Sequence, residues 1–342
     1  MRITKSKTVT STMKFFVTTL LAGLIFCGAA NAATTVIMGH VMPTDHVFHQ
    51  ISEKFMDRAQ ELSGNAFNFQ YHPAGALGDW ASQVDQTMAG ALHINFGWAL
   101  SELDPRLDIS NFGFIAEDWD MAKKIYGKGG ALDDLYQNMY NHLGLTSLGT
   151  IPTGFTGFVV RKGLTPPVNI PADAKGFKMR VPPFPMGISR YQALGFSVVP
   201  MAFSEVYTAL QTGAIDGRAY SPLSEVMMFR DVLEAYVYTK EHFEQTFFFC
   251  NTAWLSSLPE KEHKAILQAA DEVIDWSWAA SKKSNEDWRK KIEDSGLKII
   301  ELTKDQHDTY KQTVLETEIP LVEKMIGKDK MAEILNIAGV KR

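Results

Sequence analysis

The chain has 342 residues, of which 45% are hydrophobic and 21% are charged, a composition typical of a globular protein with room for two hydrophobic cores. Four of the 34 Lys and Arg residues and none of the 39 Asp and Glu residues lie in the first 32 positions, so the remainder carries 30 basic against 39 acidic residues. The resulting net charge of −9 argues against nucleic acid as a partner.

The first 32 residues have the pattern of a secretory signal peptide. Four basic residues precede an apolar run from Phe15 to about Cys27, and small residues follow as far as Ala32. We expect cleavage near Ala32 and export of the remainder. Cys27 leaves a lipid anchor as an alternative, although the residue before it is a large phenylalanine. After cleavage Cys250 is the only cysteine, so neither an internal disulfide nor a cysteine-based zinc site is expected.

From residue 34 onward, strand patterns and helix patterns alternate. Residues 34–40 predict a strand, and apolar positions at helical spacing predict a helix over residues 49–63. Residues 67–72 alternate as a second strand, and Asp79 can cap a helix that ends at Gly90. This alternation continues along the chain and predicts an α/β fold with largely parallel sheets.

Two segments of the chain resemble each other. Residues 82–99 and residues 204–221 both predict a helix that ends at a glycine, followed by a short strand that finishes with an aromatic residue, Trp98 or Tyr220. Such helix–glycine–strand units are common in α/β chains, which is one interpretation. The other is that each of two lobes contains the same unit. In that case Trp98 and Tyr220 face each other across a cleft at the carboxyl ends of strands.

The C-terminal third predicts an unusually long helix. Residues 257–260 read Ser-Leu-Pro-Glu, which is typical of a helix start, and no helix breaker follows before Gly296. An unbroken helix of this length would extend about 55 Å, so we expect it to pack along both lobes. A strand over residues 296–302 and a helix capped by Thr303 and Gln306 are expected to follow.

Catalytic, metal-binding and cofactor-binding motifs are missing from the sequence. It contains no G-x-S-x-G, H-E-x-x-H, G-x-G-x-x-G or P-loop pattern. His40, His46 and His49 lie close together, but no second cluster supports a metal site, and surface or loop histidines explain them better. His40 ends the first strand, where a cleft is expected. We therefore predict no catalytic residue, no metal and no cofactor.

Arg180 occupies an unusual place in the segment F-K-M-R-V-P-P, residues 177–183. The alternation of a strand places Lys178 and Arg180 on one face, and two prolines end the strand directly afterwards. This segment alone is consistent with a surface arginine. It is also consistent with a guanidinium that holds a carboxylate through two hydrogen bonds at the end of a strand.

Three ordered blocks around Arg180 resemble a known family. They read K-G-F-K-M-R-V-P at 175–182, A-L-G-F-S-V-V-P-M-A-F-S-E-V-Y-T-A-L-Q-T-G at 193–213, and D-G at 216–217. This region is similar to the signature of the substrate-binding proteins of TRAP transporters, the tripartite ATP-independent periplasmic family. The segments at 71–78 and 88–92 are similar to the motif of that family's first lobe, so the resemblance covers essentially the whole exported chain.

The resemblance implies a two-lobed periplasmic binding protein of the type II-like class. Each lobe is then a mixed, mostly parallel sheet flanked by helices, and the long C-terminal helix spans both. The expected division places residues 33–152 and about 245–285 in lobe 1, and residues 153–244 and about 286–342 in lobe 2. Such a protein, expected to be a monomer, closes on a small organic acid and delivers it to TRAP membrane permease subunits.

The resemblance also assigns ligand-binding positions. Arg180 matches the arginine that grips the ligand carboxylate, and Phe203 matches an aromatic residue that packs on the ligand. Tyr220 stands where many members have asparagine, Trp98 where some have an acid, and His40 where several have a polar residue. The predicted ligand-binding residues are Arg180, Phe203, Tyr220, Trp98, Phe155, His40 and Phe184. One firm cation among several aromatic rings predicts a monocarboxylate with an apolar or aromatic body.

Several alternatives remain open. Some family members have a second carboxylate-binding arginine about twenty residues before the first, where this chain has residues 153–158 without one; Arg161 matches a position outside the pocket. An aromatic box could instead hold the cationic group of a zwitterion. The same fold also serves ATP-driven importers and, less readily given the missing catalytic groups, an exported enzyme.

Overall fold

The computed structural model describes Met1 and residues 33–340. Apart from Met1, the signal peptide predicted over residues 1–32 lies outside the described residues. The strands within residues 33–340 are β1 (Thr34–Gly39), β2 (Phe67–His72), β3 (Ile94–Gly97), β4 (Leu145–Arg161), β5 (Lys178–Val181), β6 (Ser197–Pro200), β7 (Gly217–Pro222), β8 (Leu233–Tyr238), β9 (Phe243–Asn251) and β10 (Lys298–Glu301).

Helices connect and cover these strands. The α-helices of the described residues are α1 (Val47–Ser63), α2 (Trp80–Met88), α3 (Trp119–Tyr126), α4 (Asp133–His142), α5 (Pro185–Ala193), α6 (Val206–Thr212), α7 (Leu223–Val226), α8 (Thr252–Ser257), α9 (Glu260–Asp294), α10 (Lys304–Ile326) and α11 (Lys328–Ile337). Short 3-10 helices cover Pro105–Asn111, Phe203–Glu205 and Met227–Val232. No helix among the described residues is both long and apolar enough to cross a membrane.

The strands form two groups that share β4. In the first strand group the order is β2-β1-β3-β9-β4, with β1, β2 and β3 parallel to one another and β9 antiparallel to both of its neighbours. In the second strand group the order is β6-β5-β7-β4-β8-β10, with β4 antiparallel to both β7 and β8. The predicted α/β fold with mixed, mostly parallel strands is confirmed.

The strand β4 passes from one group to the other because it bends at a bulge. Its 17 residues pair first with β9, as far as Phe155, and then with β7 and β8 from Thr156 onward. The register shifts between Pro152 and Gly154, and Gly154 has a φ of +118°. A Cβ atom at Gly154 would lie 2.3 Å from Oδ1 of Asn285, so only glycine fits this bend.

The helix α9 confirms the long C-terminal helix predicted from sequence. It contains 35 residues, which corresponds to about 52 Å. Its first half packs on α1 and on Gly149 of β4, and its second half reaches α7 and β10. Asn285 in the second half donates a hydrogen bond to the Thr153 carbonyl at 2.6 Å. The helix therefore packs along both strand groups. The predicted Thr303–Gln306 capping box at the start of α10 is also confirmed.

Two hydrophobic clusters form the interior. One lies between α1, the first strand group and the first half of α9, and includes Phe55, Phe96 and Phe248. The other fills the second strand group and extends under α4 and α10. The carboxyl ends of β5 and β7 belong to the second strand group, and the residues at these ends form the candidate site.

Candidate functional site

Arg180 lies near the carboxyl end of β5 and is only 3% exposed. Two prolines follow Val181 and end the strand pairing, since proline has no backbone N–H to donate. Nε and Nη2 of Arg180 donate to the carbonyl of Met201 at 3.0 and 2.8 Å. Within residues 33–340, no carboxylate lies at ion-pairing distance from Arg180. The guanidinium is thus buried and is held by a neutral carbonyl alone.

A second buried arginine lies beside Arg180. Arg218 on β7 is the register partner of Arg180 on the neighbouring parallel strand, so the two side chains leave the same face of the sheet about 4.8 Å apart. Nη2 of Arg218 donates to the carboxylate of Glu225 and, at 3.2 Å, to the carbonyl of Tyr220. Nε and Nη1 of Arg218 are buried and have no hydrogen-bond partner among the described residues.

Glu244 on β9 adds a second buried carboxyl group to this region. Burial, together with the charge of nearby Glu225, raises its pKa to about 8 against the opposing effect of contacts with Thr153, Arg218 and Trp98. The Thr153 hydroxyl donates to Oε2 of Glu244 at 2.8 Å, and the indole of Trp98 lies beside the same carboxyl group. A carboxyl group with this pKa is largely protonated at neutral pH.

These four ionisable residues, Arg180, Arg218, Glu225 and Glu244, are called the arginine cluster below. Burial and the charge of Arg218 together lower the pKa of Arg180 to about 9. The charge of Glu225 acts in the opposite direction and raises this pKa. Like charges on neighbouring strands are unfavourable, and a buried charge without a counter-ion is more so. With Glu244 protonated the arginine cluster carries one net positive charge, so it is suited to bind one anionic group.

Two predicted aromatic residues lie at the edges of the arginine cluster. The half-buried ring of Phe203 faces Arg218, with Cζ of the guanidinium 4.9 Å from the ring centroid, and the ring of Phe229 is 5.3 Å away. Trp98 follows β3 and packs against Phe48 at a centroid distance of 6.1 Å. Residues from both strand groups therefore meet here.

Tyr220 and Phe184 lie together in a different cluster. The ring of Tyr220 is 5.0 Å from that of Phe184 and 5.4 Å from His242, and Cζ of Arg190 lies 5.0 Å above it. Tyr220 has a φ of +52°, in the left-handed region that asparagine enters far more readily than tyrosine. The backbone carbonyl of Tyr220 accepts a hydrogen bond from Arg218 of the arginine cluster.

Arg190 on α5 is fully buried and, unlike Arg180, has a carboxylate partner. Its Nε and Nη2 donate to Oε1 and Oε2 of Glu318 on α10 at 2.6 and 3.0 Å, and both side chains are inaccessible to solvent. Nη2 also contacts the carbonyl of Asn111, and the backbone N–H of Gly113 donates to Glu318 at 2.8 Å. This pair joins α5 and α10 to the 3-10 helix over residues 105–111.

His40 and Phe155 are buried by packing on other residues. Nε2 of His40 is 2.6 Å from the hydroxyl of Tyr71, and burial lowers the pKa of His40 to about 4. Phe155 packs edge-on against Phe243 at 5.0 Å. His46, which precedes α1, connects the two strand groups, because its Nε2 lies 3.2 Å from Oγ of Ser224 in α7.

The structure thus brings Arg180, Phe203 and Trp98 to the arginine cluster, and places Tyr220 with Phe184, His40 with Tyr71, and Phe155 in an aromatic core. Sequence reasoning missed Arg218, Glu225 and Glu244. The sequence did hold a signal for two of them. Arg218 lies two positions before Tyr220 on one strand, and Glu244 is the one charged residue of its strand.

Among residues 33–340, no group of three or more His, Cys, Asp or Glu side chains is arranged to hold a metal ion. Cys250 is buried in the first strand group, and burial raises the pKa of its thiol to about 12. The arginine cluster can bind and orient an anion through charge and hydrogen bonds.

Comparison with known proteins agrees with this chemistry. A family model described as "Bacterial extracellular solute-binding protein, family 7" matches residues 38–325. A curated relative, the sialic acid-binding periplasmic protein of Vibrio cholerae, is 25% identical over 265 residues, which is 76% of this chain and 80% of the relative.

Two solved structures show the same fold. One is the sugar acid binding protein of Advenella mimigardefordensis in complex with galactonate, with a TM-score of 0.81, 22% identity, and coverage of 90% of this chain and 98% of that one. The other is a TRAP periplasmic solute binding protein of Sulfurospirillum deleyianum with bound succinate, with a TM-score of 0.81, 23% identity, and coverage of 90% and 99%.

Proposed function

Because the chain belongs to family 7 of the bacterial extracellular solute-binding proteins, the family of TRAP substrate-binding proteins, we propose that it captures a small organic carboxylate in the periplasm. It then delivers this ligand to ion-gradient-driven TRAP membrane subunits. Family members are binding proteins and not enzymes, and relatives bind sialic acid, galactonate or succinate, each of which carries a carboxylate.

The proposal is supported by the surroundings of Arg180, which is buried and, among the described residues, is held only by the Met201 carbonyl. Beside it lies Arg218, a second buried arginine, whose carboxylate partner is Glu225. A ligand carboxylate would supply the missing counter-ion through two charge-assisted hydrogen bonds. Because the arginine cluster carries one net positive charge, a monocarboxylate fits it better than a dicarboxylate. The rings of Phe203, Phe229 and Trp98 favour a body with apolar surface.

Ligand capture is proposed to close two lobes. Lobe 1 comprises residues 33–152 and about 245–285, and lobe 2 comprises residues 153–244 and about 286–342. This division is supported by β4, which bends at Gly154 between the two strand groups, and by the arginine cluster, to which both groups contribute. A ligand that contacts both lobes only in the closed state shifts the population toward that state.

The remaining ligand contacts are proposed from the family resemblance and, for Phe155 and Phe184, from the aromatic character expected of the site. Cleavage of the signal peptide near Ala32 and a monomeric state belong to the same proposal. The proposed ligand-binding residues are Arg180, Phe203, Tyr220, Trp98, Phe155, His40 and Phe184. The strained backbone of Tyr220 supports a functional role for its position, since strain of this kind is retained where the surrounding structure requires it.

The test is a thermal-shift screen of small carboxylates and zwitterions, together with mass spectrometry of any ligand that copurifies. We expect at least one monocarboxylate to raise Tm in the wild-type protein, and Arg180→Gln to abolish that rise. Arg161→Gln is the matched control, because Arg161 pairs with Asp216 at 3.2 Å elsewhere in the second strand group. Full ligand stabilisation of the Arg180→Gln protein would contradict the proposal.

The type of importer is tested separately. Neighbouring genes for one small and one large membrane subunit are expected for an ion-driven TRAP system. A neighbouring ATPase gene would contradict this assignment and favour an ATP-driven importer, while the carboxylate-binding role of Arg180 would stand.

A second candidate ligand is a zwitterion. Glu244 lies beside the indole of Trp98 in the arginine cluster, and an ammonium group could pair with the carboxylate and with the face of the ring. Such a ligand would need Glu244 ionised. Binding of a quaternary-ammonium carboxylate that is lost in Glu244→Gln, with no binding of plain monocarboxylates, would favour this candidate.

A further inference from the structure

Arg218 has hydrogen-bonding capacity that its protein partners do not use. Its Nη2 is engaged by Glu225 and by the Tyr220 carbonyl, whereas its Nε and Nη1 are buried and have no partner among the described residues. Arg218 is 3% exposed, and buried donors without acceptors are unfavourable. Glu225 and the Tyr220 carbonyl therefore fix the orientation of the guanidinium through Nη2. Its Nε and Nη1 can donate to an acceptor that residues 33–340 do not provide.

The position of Arg218 puts these donors next to the proposed carboxylate site. Arg180 and Arg218 are register partners on parallel strands, so their backbones are separated by about 4.8 Å. An oxygen on the second or third carbon of a carboxylate held by Arg180 lies only a few bond lengths from the carboxyl group, so a guanidinium that leaves the same face of the neighbouring strand is close enough to donate to it. The rings of Phe203 and Phe229 pack against the guanidinium of Arg218, which is buried.

The charges of the arginine cluster indicate what kind of acceptor fits. Arg180, Arg218 and Glu225 together carry one net positive charge, and Glu244 adds either no charge or one negative charge. One ligand carboxylate already neutralises the site, so a second carboxylate would be a buried charge without a counter-ion. A neutral oxygen avoids this cost. A hydroxyl group can also donate to the Glu244 carboxyl while it accepts from Arg218.

We propose that Arg218, oriented by Glu225, is a specificity-determining residue that binds a neutral hydroxyl or keto oxygen on the second or third carbon of the ligand. The ligand is then a hydroxy- or oxo-monocarboxylate. This inference rests on the proposed carboxylate-binding function and refines its ligand class. Arg180 provides affinity for the carboxylate, and Arg218 selects among carboxylates.

The experiment uses titration calorimetry of the exported chain with matched sets of acids. Each set contains a plain monocarboxylate and its 2-hydroxy, 3-hydroxy and 2-oxo derivatives, on straight chains of three to six carbons and on a phenyl-bearing chain. We expect the best substituted acid to bind roughly ten- to a hundredfold more tightly than its plain parent, as for a charged donor with a neutral acceptor. Equal or tighter binding of the plain parent would overturn the inference.

The variant must remove Arg218 without stranding the buried Glu225. The double variant Arg218→Gln/Glu225→Gln deletes one positive and one negative charge, so the net charge of the site and its attraction for a carboxylate are kept. We expect the preference for the substituted acid to fall to within about threefold of unity, with binding of the plain acid retained. A preference that persists unchanged in the double variant would overturn the role of Arg218.

Two further variants distinguish a failure of this inference from a failure of the proposed function. Arg161→Gln should keep both the affinity and the preference, and Arg180→Gln should lose the binding of plain and substituted acids alike. Retained affinity in Arg180→Gln, or a wild-type protein that binds no carboxylate, would overturn the proposed function and this inference with it. Carboxylate binding without a preference overturns only the inference.

Discussion

Arg180 and Arg190 lie ten positions apart and are both buried, but their surroundings differ. Arg190 donates two hydrogen bonds to Glu318, and its ion pair joins α5 to α10. Within residues 33–340, Arg180 donates to the carbonyl of Met201 alone, and its neighbour on the next strand is another arginine. The protein thus neutralises one buried arginine internally and leaves the other to be neutralised from outside. We interpret the first as a structural residue, and the second is the residue proposed to bind the ligand.

Removing Glu318, the partner of Arg190, should produce the largest change in the free energy of unfolding. Glu318→Gln leaves a fully buried arginine unpaired, so we expect the free energy of unfolding to fall by about 3–5 kcal/mol. Urea unfolding of the ligand-free protein measures this loss. The double variant Arg190→Gln/Glu318→Gln, which buries no charge at this site, should recover part of it. A Glu318→Gln protein as stable as the wild type would show that the Arg190–Glu318 pair does not stabilise the fold.

For Arg180 we expect the opposite result: its substitution should weaken ligand binding without destabilising the ligand-free protein. For Arg180→Gln we expect a loss of binding free energy on the order of 2–5 kcal/mol for the carboxylate that stabilises the wild type. The ligand-free protein should keep its stability or gain some, because folding lowers the pKa of Arg180 to about 9 and its charged form is therefore unfavourable in the folded state. Calorimetry and urea unfolding of the same preparation check both parts.

Loss of stability in the ligand-free Arg180→Gln protein comparable to that of Glu318→Gln would contradict this division. It would show that Arg180 is a structural residue, as Arg190 is.

The pH dependence of binding should report the pKa of Glu244. Because this pKa is raised to about 8, Glu244 is protonated at lower pH, and its ionisation adds a negative charge beside the bound carboxylate. Affinity should be level below about pH 7 and should fall as the pH rises through 8. In Glu244→Gln this fall should be absent over the same pH range, because the site then has no carboxyl group that ionises near pH 8. An identical pH profile in both proteins would contradict the placement of Glu244 beside the ligand.

Substitution of Arg161 is expected to have the smallest effect on both stability and carboxylate affinity. Its pair with Asp216 is partly exposed to solvent, so Arg161→Gln should cost about 1 kcal/mol or less in unfolding free energy and should leave carboxylate affinity unchanged. A large change in affinity would show that any arginine of the second strand group affects binding, which would weaken the comparison between Arg180 and Arg190.

Sequence patterns predicted the fold because they are local. The 3.6-residue periodicity and the missing helix breakers between residues 260 and 296 indicated α9, and Thr303 with Gln306 indicated the start of α10. The bend of β4 at Gly154 was not predictable in this way. Its cause is the close approach of Asn285, which is distant in sequence.

The candidate site was only partly predictable for the same reason. Arg180 and Phe203 belong to contiguous motifs, whereas Arg218 and Glu225 become neighbours of Arg180 through strand register. Tyr220 was predicted to face Trp98 across a cleft, but its left-handed backbone directs its ring toward Arg190 instead. Alternation along a strand predicts the direction of a side chain only where the backbone stays extended.

A crystal structure of the protein with its copurified ligand, or with the tightest acid from the screen, would show directly which group neutralises Arg180. We expect a ligand carboxylate with both oxygens about 2.7–2.9 Å from guanidinium nitrogens of Arg180. A ligand bound elsewhere, or one that places no anionic group at Arg180, would contradict it.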